Sequence, residues 1–184
     1  MPRLQLETYL QPDDLFERPW NPDEGFFWSV LHTKPRSEKS LARRLCEWEG
    51  RFFLPLHQHR TMRRGRMVTS YLPLFPGYLF VFGTEQDRLK ALKTKYVVQC
   101  IHVMNQAELT TDLSNVCHLM NSGEGITPEL KLEPGKPVEI VHGPFRGMEG
   151  RVIRRENRLR FLIEVRLLQR GVSVEMESWM LAPT

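Results

Sequence analysis

Residues 135–152 read GKPVEIVHGPFRGMEGRV. Val138 and Ile140 are spaced by two, so both point to one side of a first strand. Gly143, Pro144 and Phe145 turn the chain and bury a ring, and Gly147 and Gly150 permit tight or positive-φ backbone before the next strand. Downstream the alternation continues through Val152, then Leu159, Phe161, Ile163, Val165 and Leu167, then Val172, Val174 and Met176, with Asn157 and Gly171 as punctuation. Five short strands over 138–184 predict a small β-barrel. The stretch 158–170 also has a helix-like spacing in Leu159, Leu162, Ile163, Arg166 and Leu167. The glycines and proline across 138–152, with the β-prone Val172 and Val174, favour strands throughout.

Working back from there, residues 121–137 (NSGEGITPELKLEPGKP) are rich in Gly, Pro and charge and predict a linker. Before it the pattern is mixed. FWSVLH (27–32) reads as a central strand. Pro35, Ser37 and Glu38 open a helix that Gly50 closes, with Leu41, Leu45 and Trp48 as its buried stripe. Residues 51–60 and 67–72 form a hairpin whose basic turn is Arg63, Arg64, Gly65 and Arg66. YLFVF (78–82) is another apolar strand, and Thr84 with Asp87 predicts a capped short helix. A strand over 97–104 and a helix with Leu113, Val116, Cys117 and Met120 on one stripe complete residues 26–120. The order predicts an α+β fold, an antiparallel sheet with helices on one face in a split β-α-β plan. Residues 1–25, with four prolines and no apolar periodicity, predict a disordered or loosely attached arm on which Phe16 and Trp20 are candidates for docking.

The chain has 184 residues, 41% of them hydrophobic, with a net charge of +4. No apolar run approaches the ~18 residues of a membrane span, no secretory signal is visible, and a cytoplasmic protein without a membrane partner is expected. The three cysteines, Cys46, Cys100 and Cys117, read as buried thiols in a reducing compartment. His57 and His59 are the only closely spaced metal-ligand types and read as strand surface, so no metal and no cofactor is expected. The arm 1–25 carries a net −4, which leaves +8 on the remainder, and residues 34–66 alone hold 10 bases against 3 acids. A positive field that focused suits a nucleic-acid partner. A solvated surface is the alternative. By charge and spacing, Arg36, Lys39 and Arg43 share a helix face, and Arg63 and Arg64 sit at the hairpin turn.

Residues 135–152 match every fixed position of the KOW motif, G-x-x-V-x-I-x-x-G-P-F-x-G-x-x-G-x-V. Its defining positions here are Val138, Ile140, Gly143, Pro144, Phe145, Gly147 and Gly150. Together with Phe26 to Val30, the amphipathic helix, Leu54-Pro55 and the run Phe75-Pro76-Gly77-Tyr78-Leu79-Phe80-Val81, residues 26–184 resemble NusG-type transcription elongation factors, with LPLFPGYLFV nearest to the RfaH-like branch. Beside the arm (1–25) and the linker (121–137) read above, the resemblance implies a polymerase-binding domain (26–120) and a KOW domain (138–184).

It also implies a function: a non-enzymatic factor, expected to be a monomer, that binds RNA polymerase across the DNA cleft and suppresses pausing. Tyr78 and Phe80, with Phe75 behind them, would meet the polymerase clamp; a place in the core is the alternative for all three. Arg88 and Lys90 stand where the RfaH-like branch has a His-Thr run against the gate loop. Lys34, Arg44 and Lys95 match the face that contacts the non-template DNA strand, whereas Ser40 replaces a base found there in that branch. The KOW domain would meet a ribosomal protein or a termination factor. A KOW-containing ribosomal, rRNA-binding protein is the alternative reading. An enzyme is disfavoured by the lack of a phosphate loop, paired carboxylates or a nucleophile set.

Overall fold

The computed structural model describes residues 8–17, 25–130, 135–155 and 158–184. The chain divides into two compact units, Met1–Gln106 and Ala107–Thr184. Trp20, the arm residues 1–7 and 18–24, the linker residues 131–134 and the turn residue Asn157 lie outside the described residues.

The first unit is built on a five-stranded antiparallel sheet. Its strands are β1 (Leu10–Gln11), β2 (Phe27–Thr33), β3 (Arg51–Phe53), β6 (Tyr78–Gly83) and β7 (Val97–Ile101), in the order β1-β3-β6-β2-β7. A separate two-stranded sheet is formed by β4 (Leu56–Arg63) and β5 (Arg66–Pro73). The helices are α1 (Glu38–Glu47) and α2 (Glu85–Leu92). Leu41, Ala42 and Leu45 recur at helical spacing on α1 and pack with Leu31, Phe52, Leu79 and Val81 in one core cluster. Phe52, Leu79 and Val81 alternate with aromatic neighbours and Leu31 with the buried Val30, so each strand serves two layers. On the other layer Phe80 packs edge-on to Phe75 at 6.0 Å, Phe53 lies 6.4 Å from Phe80, and Trp28 lies 5.1 Å from Phe82. Expecting helices on one face thus accounts for half of the sheet's cover.

α1 ends as a Schellman motif, with Glu49 N–H donating to Cys46 O at 3.0 Å and Gly50 N–H to Leu45 O at 2.9 Å. Glu49, not Gly50, takes the left-handed conformation (φ 55°). The capping box at α2 forms as the spacing predicts: Asp87 N–H donates to Thr84 Oγ1 at 3.3 Å and Thr84 N–H to Asp87 Oδ2 at 2.9 Å.

The arm departs from expectation. Leu10 and Leu15 are buried, Leu10 is in register with Phe53, and Leu54 N–H donates to Tyr9 O at 2.6 Å. Phe16 stacks on Trp28 at 5.7 Å and meets Phe53 edge-on at 5.2 Å. Three apolar side chains within seven residues offset the ordering entropy that the acidic, Pro-containing composition suggested would prevail.

The second unit holds α3 (Gln106–Asn121, all but its first residue) and a six-stranded antiparallel sheet. The strands are β8 (Ile126–Glu129), β9 (Lys136–Ile140), β10 (Glu149–Arg155), β11 (Arg158–Val165), β12 (Arg170–Glu175) and β13 (Leu181–Pro183), in the order β13-β9-β10-β11-β12-β8. The segment 158–165 is strand, so alternation outweighs its helix-like spacing. The expected linker is corrected at 126–129, which pairs with β12 as a sixth strand. Its anchor is a polar network: Ser173 Oγ donates to the buried Glu129 at 2.6 Å, and Arg160 donates to Ser173 Oγ and Thr127 Oγ1, each at 2.8 Å. Gly, Pro and charge at the ends of the segment hid a four-residue strand between them.

The motif residues behave as read. Val138, Ile140 and Phe145 are buried, and Gly143 and Gly147 have φ of 92° and 87°. Gly150 is required by close approach rather than by φ: a Cβ there would lie 2.6 Å from Leu162 O and 2.7 Å from the Phe161 ring. At the other end of the chain Asp112 on α3 accepts Arg166 N–H at 3.0 Å and the Arg166 guanidinium at 2.7 Å, fixing helix to sheet.

Candidate nucleic-acid interface

The loop after α2 returns to β7 beside the end of α1. Backbone pairing fixes this approach: Lys34 N–H donates to Tyr96 O at 2.8 Å, and Thr33 is in register with Val97. The result is an open cleft of about 590 Å³ lined by Arg44, Trp48, Lys90, Lys93, Thr94, Lys95 and Tyr96. Trp48 lies at its centre. The Lys90 ammonium sits 4.5 Å from its ring centroid and the Arg44 guanidinium 5.9 Å away, both within cation–π range. Arg44 pairs with Glu47 at 2.7 Å, and among the described residues no carboxylate lines the cleft. Four cations, one of them paired, around a half-buried indole provide phosphate attraction and a stacking surface in one place.

This geometry sorts the sequence-derived residues. Arg44 and Lys95 line the cleft, with Lys34 held next to it by its backbone bond to Tyr96. Lys90, expected at a gate-loop contact, belongs to the cleft as well. Lys39 and Arg43 lie on α1, but the face they were read to share with Arg36 is corrected: Arg36 sits in the turn before the helix with a left-handed φ of 62°, and none of the three lines the cleft. Arg63 and Arg64 are at the tip of the β4–β5 hairpin. Arg88 is bound to Glu85, donating from Nε at 2.7 Å and also from Nη2. That bond raises the Arg88 pKa and lowers that of Glu85.

Lys93, Trp48 and Tyr96 were not legible as site residues. Trp48 falls on the apolar stripe of α1 and reads as core, yet it stands at the helix C-cap, partly buried against the core cluster and with cations over its ring. Lys93 and Tyr96 belong to a connection without periodicity, and only the fold brings them to Trp48.

The aromatic run at 75–80 is arranged differently from a simple exposed patch. Phe75, Pro76, Gly77 and Tyr78 form a turn in which Tyr78 N–H donates to Phe75 O at 3.0 Å. Gly77, at φ 86°, supplies the conformation a type II turn requires at its third position. Gly77 N–H donates to the buried Glu38 carboxylate at 2.7 Å, tying the turn to the start of α1. Phe75 and Phe80 are 1% and 0% exposed, because the sheet layer with Phe53 closes over them. Of the two readings open for these rings, clamp pocket or core, their burial fits the core. Tyr78 is half-buried and stacks with His32 at 5.2 Å.

Elsewhere, His57 and His59 lie on β4 with ring centroids 6.4 Å apart. Burial and the neighbouring His59 lower the His57 pKa. A second cleft, of about 560 Å³, lies within the second unit. Its charges pair with partners inside the unit: Arg151 with Glu164 at 2.9 Å, and Arg166 with Asp112 and with Glu108 at 3.0 Å. Among the described residues no helix is long and apolar enough to cross a membrane.

Comparison with known proteins agrees with the sequence-derived resemblance. The family described as "Transcription termination factor nusG" matches residues 26–129, more than half of the chain. The transcription termination/antitermination protein NusG of Pseudomonas aeruginosa is 26% identical, over 82% of this chain and 94% of that protein. The ribosomal-protein alternative is therefore set aside: the chain belongs to the NusG family.

Proposed function

We propose that this protein is a transcription elongation and antitermination factor that binds RNA polymerase through its first unit and contacts the non-template DNA strand through the cleft around Trp48. The observation that carries the DNA contact is that cleft, four cations around one indole in a NusG-family chain. Phosphates of an unpaired strand would be drawn to Arg44, Lys90, Lys93 and Lys95 while a base stacks on Trp48. Tyr78, with its ring beside His32, is the proposed clamp-facing residue, and the buried Phe75 and Phe80 support the strand beneath it. Arg88 is the remaining candidate for the gate loop, in competition with Glu85. The six-stranded second unit, with its motif glycines and Phe145 in place, is proposed as the KOW domain that meets a ribosomal protein or a termination factor.

The test is binding of the full chain to core polymerase and to a complex stalled with an open bubble. The bubble is expected to add affinity, and replacing Lys93 and Lys95 by Ala to remove that gain. The same replacement lowers the dependence of log affinity on log salt by about 0.7 for each lost phosphate contact. An unchanged salt slope would refute the DNA contact. Tyr78→Ala is expected to weaken core-polymerase binding with an unaltered melting temperature, and undiminished binding would remove Tyr78 from the interface.

A further inference from the structure

The cleft leaves the β4–β5 hairpin unexplained. Among the described residues it pairs with no other strand, and two strands of eight residues give an arm about 25 Å long at ~3.3 Å per residue. Leu56, Leu74 and Phe75 anchor its base in the core, and residues 58–60, 62–68 and 72 are exposed. The turn is type I′, with Arg64 at φ 48° and Gly65 at φ 74°, which holds the strands in the twist of a stable ribbon. So this is a formed element reaching into solvent.

Its chemistry is one-sided. No Asp or Glu occurs between Glu49 and Glu85, and the hairpin carries Arg60, Arg63, Arg64 and Arg66. Arg63 and Arg66 are directly opposed across the strands, an arrangement that repels. Neither forms a salt bridge among the described residues. Next to them Met62 and Met67 are also directly opposed, 66% and 61% exposed. Opposed residues share a face, so the methionine pair and Arg60 lie on one side of the ribbon and Arg63 and Arg66 on the other. The tip therefore pairs an exposed, unbranched apolar wedge with cations on both of its faces.

We propose that the β4–β5 hairpin is a duplex-DNA arm: the arginines straddle the phosphates of a groove, and Met62 and Met67 wedge against a base step and unstack it. A two-stranded ribbon has the width of a DNA groove, and methionine is among the side chains that such wedges use. The absence of carboxylates over the whole arm and the opposed arginine pair are what a polyanion relieves. The inference rests on the nucleic-acid reading above and extends it from an unpaired strand at the cleft to paired DNA at the hairpin.

The experiment uses the full chain with a short mixed-sequence duplex carrying 2-aminopurine, whose fluorescence rises when it is unstacked. The same samples are titrated with single-stranded DNA of the same sequence. Wild type is expected to bind the duplex and raise the fluorescence. Met62→Ala with Met67→Ala is expected to abolish the rise and weaken duplex binding several-fold with the salt slope unchanged, whereas Met62→Leu with Met67→Leu keeps both. Arg63→Ala with Arg66→Ala is expected to lower the slope by about 1.8, two phosphate contacts at ~0.9 each. Melting temperatures equal to wild type verify that the variants are folded. A fluorescence rise that survives the double alanine variant overturns the wedge. Single-strand binding without duplex binding overturns the arm and leaves the cleft standing, and loss of both overturns the two together. Polyglutamate binding the arm as tightly as duplex would make the partner an acidic protein, and that too overturns it.

Discussion

Glu49 sits at the left-handed position that ends α1, where a Cβ is strained and glycine is not. Glu49→Gly is therefore expected to stabilise the first unit by about 0.5–1 kcal/mol, read from the denaturant midpoint. Gly150 is the opposite case. Its Cβ would meet backbone oxygen at 2.6 Å, and a strand paired on both sides cannot retreat, so Gly150→Ala is expected to cost about 1–3 kcal/mol. Cys117 is buried on α3, and that burial raises its thiol pKa to about 11. Alkylation near pH 8 should label Cys46 and Cys100, both part-exposed, well before Cys117. The sign for stability follows. The folded thiol holds its proton above the unfolded pKa of ~8.5, so the stabilisation is complete below that pH. It is lost as pH rises from there toward 11, and Cys117→Ser should flatten that limb.

Elements show how far a pattern in sequence reaches. The hairpin turn, the α2 cap and the strands of 138–175 were legible because each is written in local chemistry: Gly65 at a basic tip, Thr84 and Asp87 for a cap, spacing by two for a strand; the single strand read over 51–60 is corrected, since it breaks at Leu54-Pro55 into β3 and β4, which belong to different sheets. β8 was not, because four residues between Gly125 and Leu130 carry too little alternation, and what holds them is remote, Ser173 and Arg160 on strands more than thirty residues away. β1 was hidden for a similar reason: two residues pair with β3, and the arm's acidic composition speaks only for its solvent side. The polar anchor of β8 is testable. Ser173→Ala removes the donor to a buried carboxylate and a partner of Arg160, leaving Glu129 without its hydroxyl. A loss of about 1–3 kcal/mol is expected, with amide exchange rising first at 126–129.

Over the whole molecule, charge is what the sequence distributes and the fold concentrates. Ten bases across residues 34–66 signalled a polyanion partner, yet the fold divides them: Arg44 goes to the cleft, Lys39 and Arg43 to α1, Arg36 to the turn before it, Arg51 to the Phe26 ring, and Arg60, Arg63, Arg64 and Arg66 to the hairpin. The cleft was half legible: Arg44 and Lys95 followed from the family pattern. Trp48 did not, since an aromatic at helical spacing reads as core until the helix is seen to end beneath it. The same accounting decides what Trp48 does. If the ring serves only packing, with Lys90 and Arg44 lying on it for their own sake, then Trp48→Leu keeps apolar volume and should leave DNA affinity alone. If the ring is a stacking platform, Trp48→Leu loses about 1–3 kcal/mol of single-strand binding, Trp48→Phe recovers part of it, and neither alters the salt slope, because no phosphate contact is lost. Anisotropy titrations of the full chain with single-stranded DNA at several salt concentrations separate the two. A parallel drop of the whole salt line is the platform's signature, and a superimposed line assigns the indole to the core of the first unit.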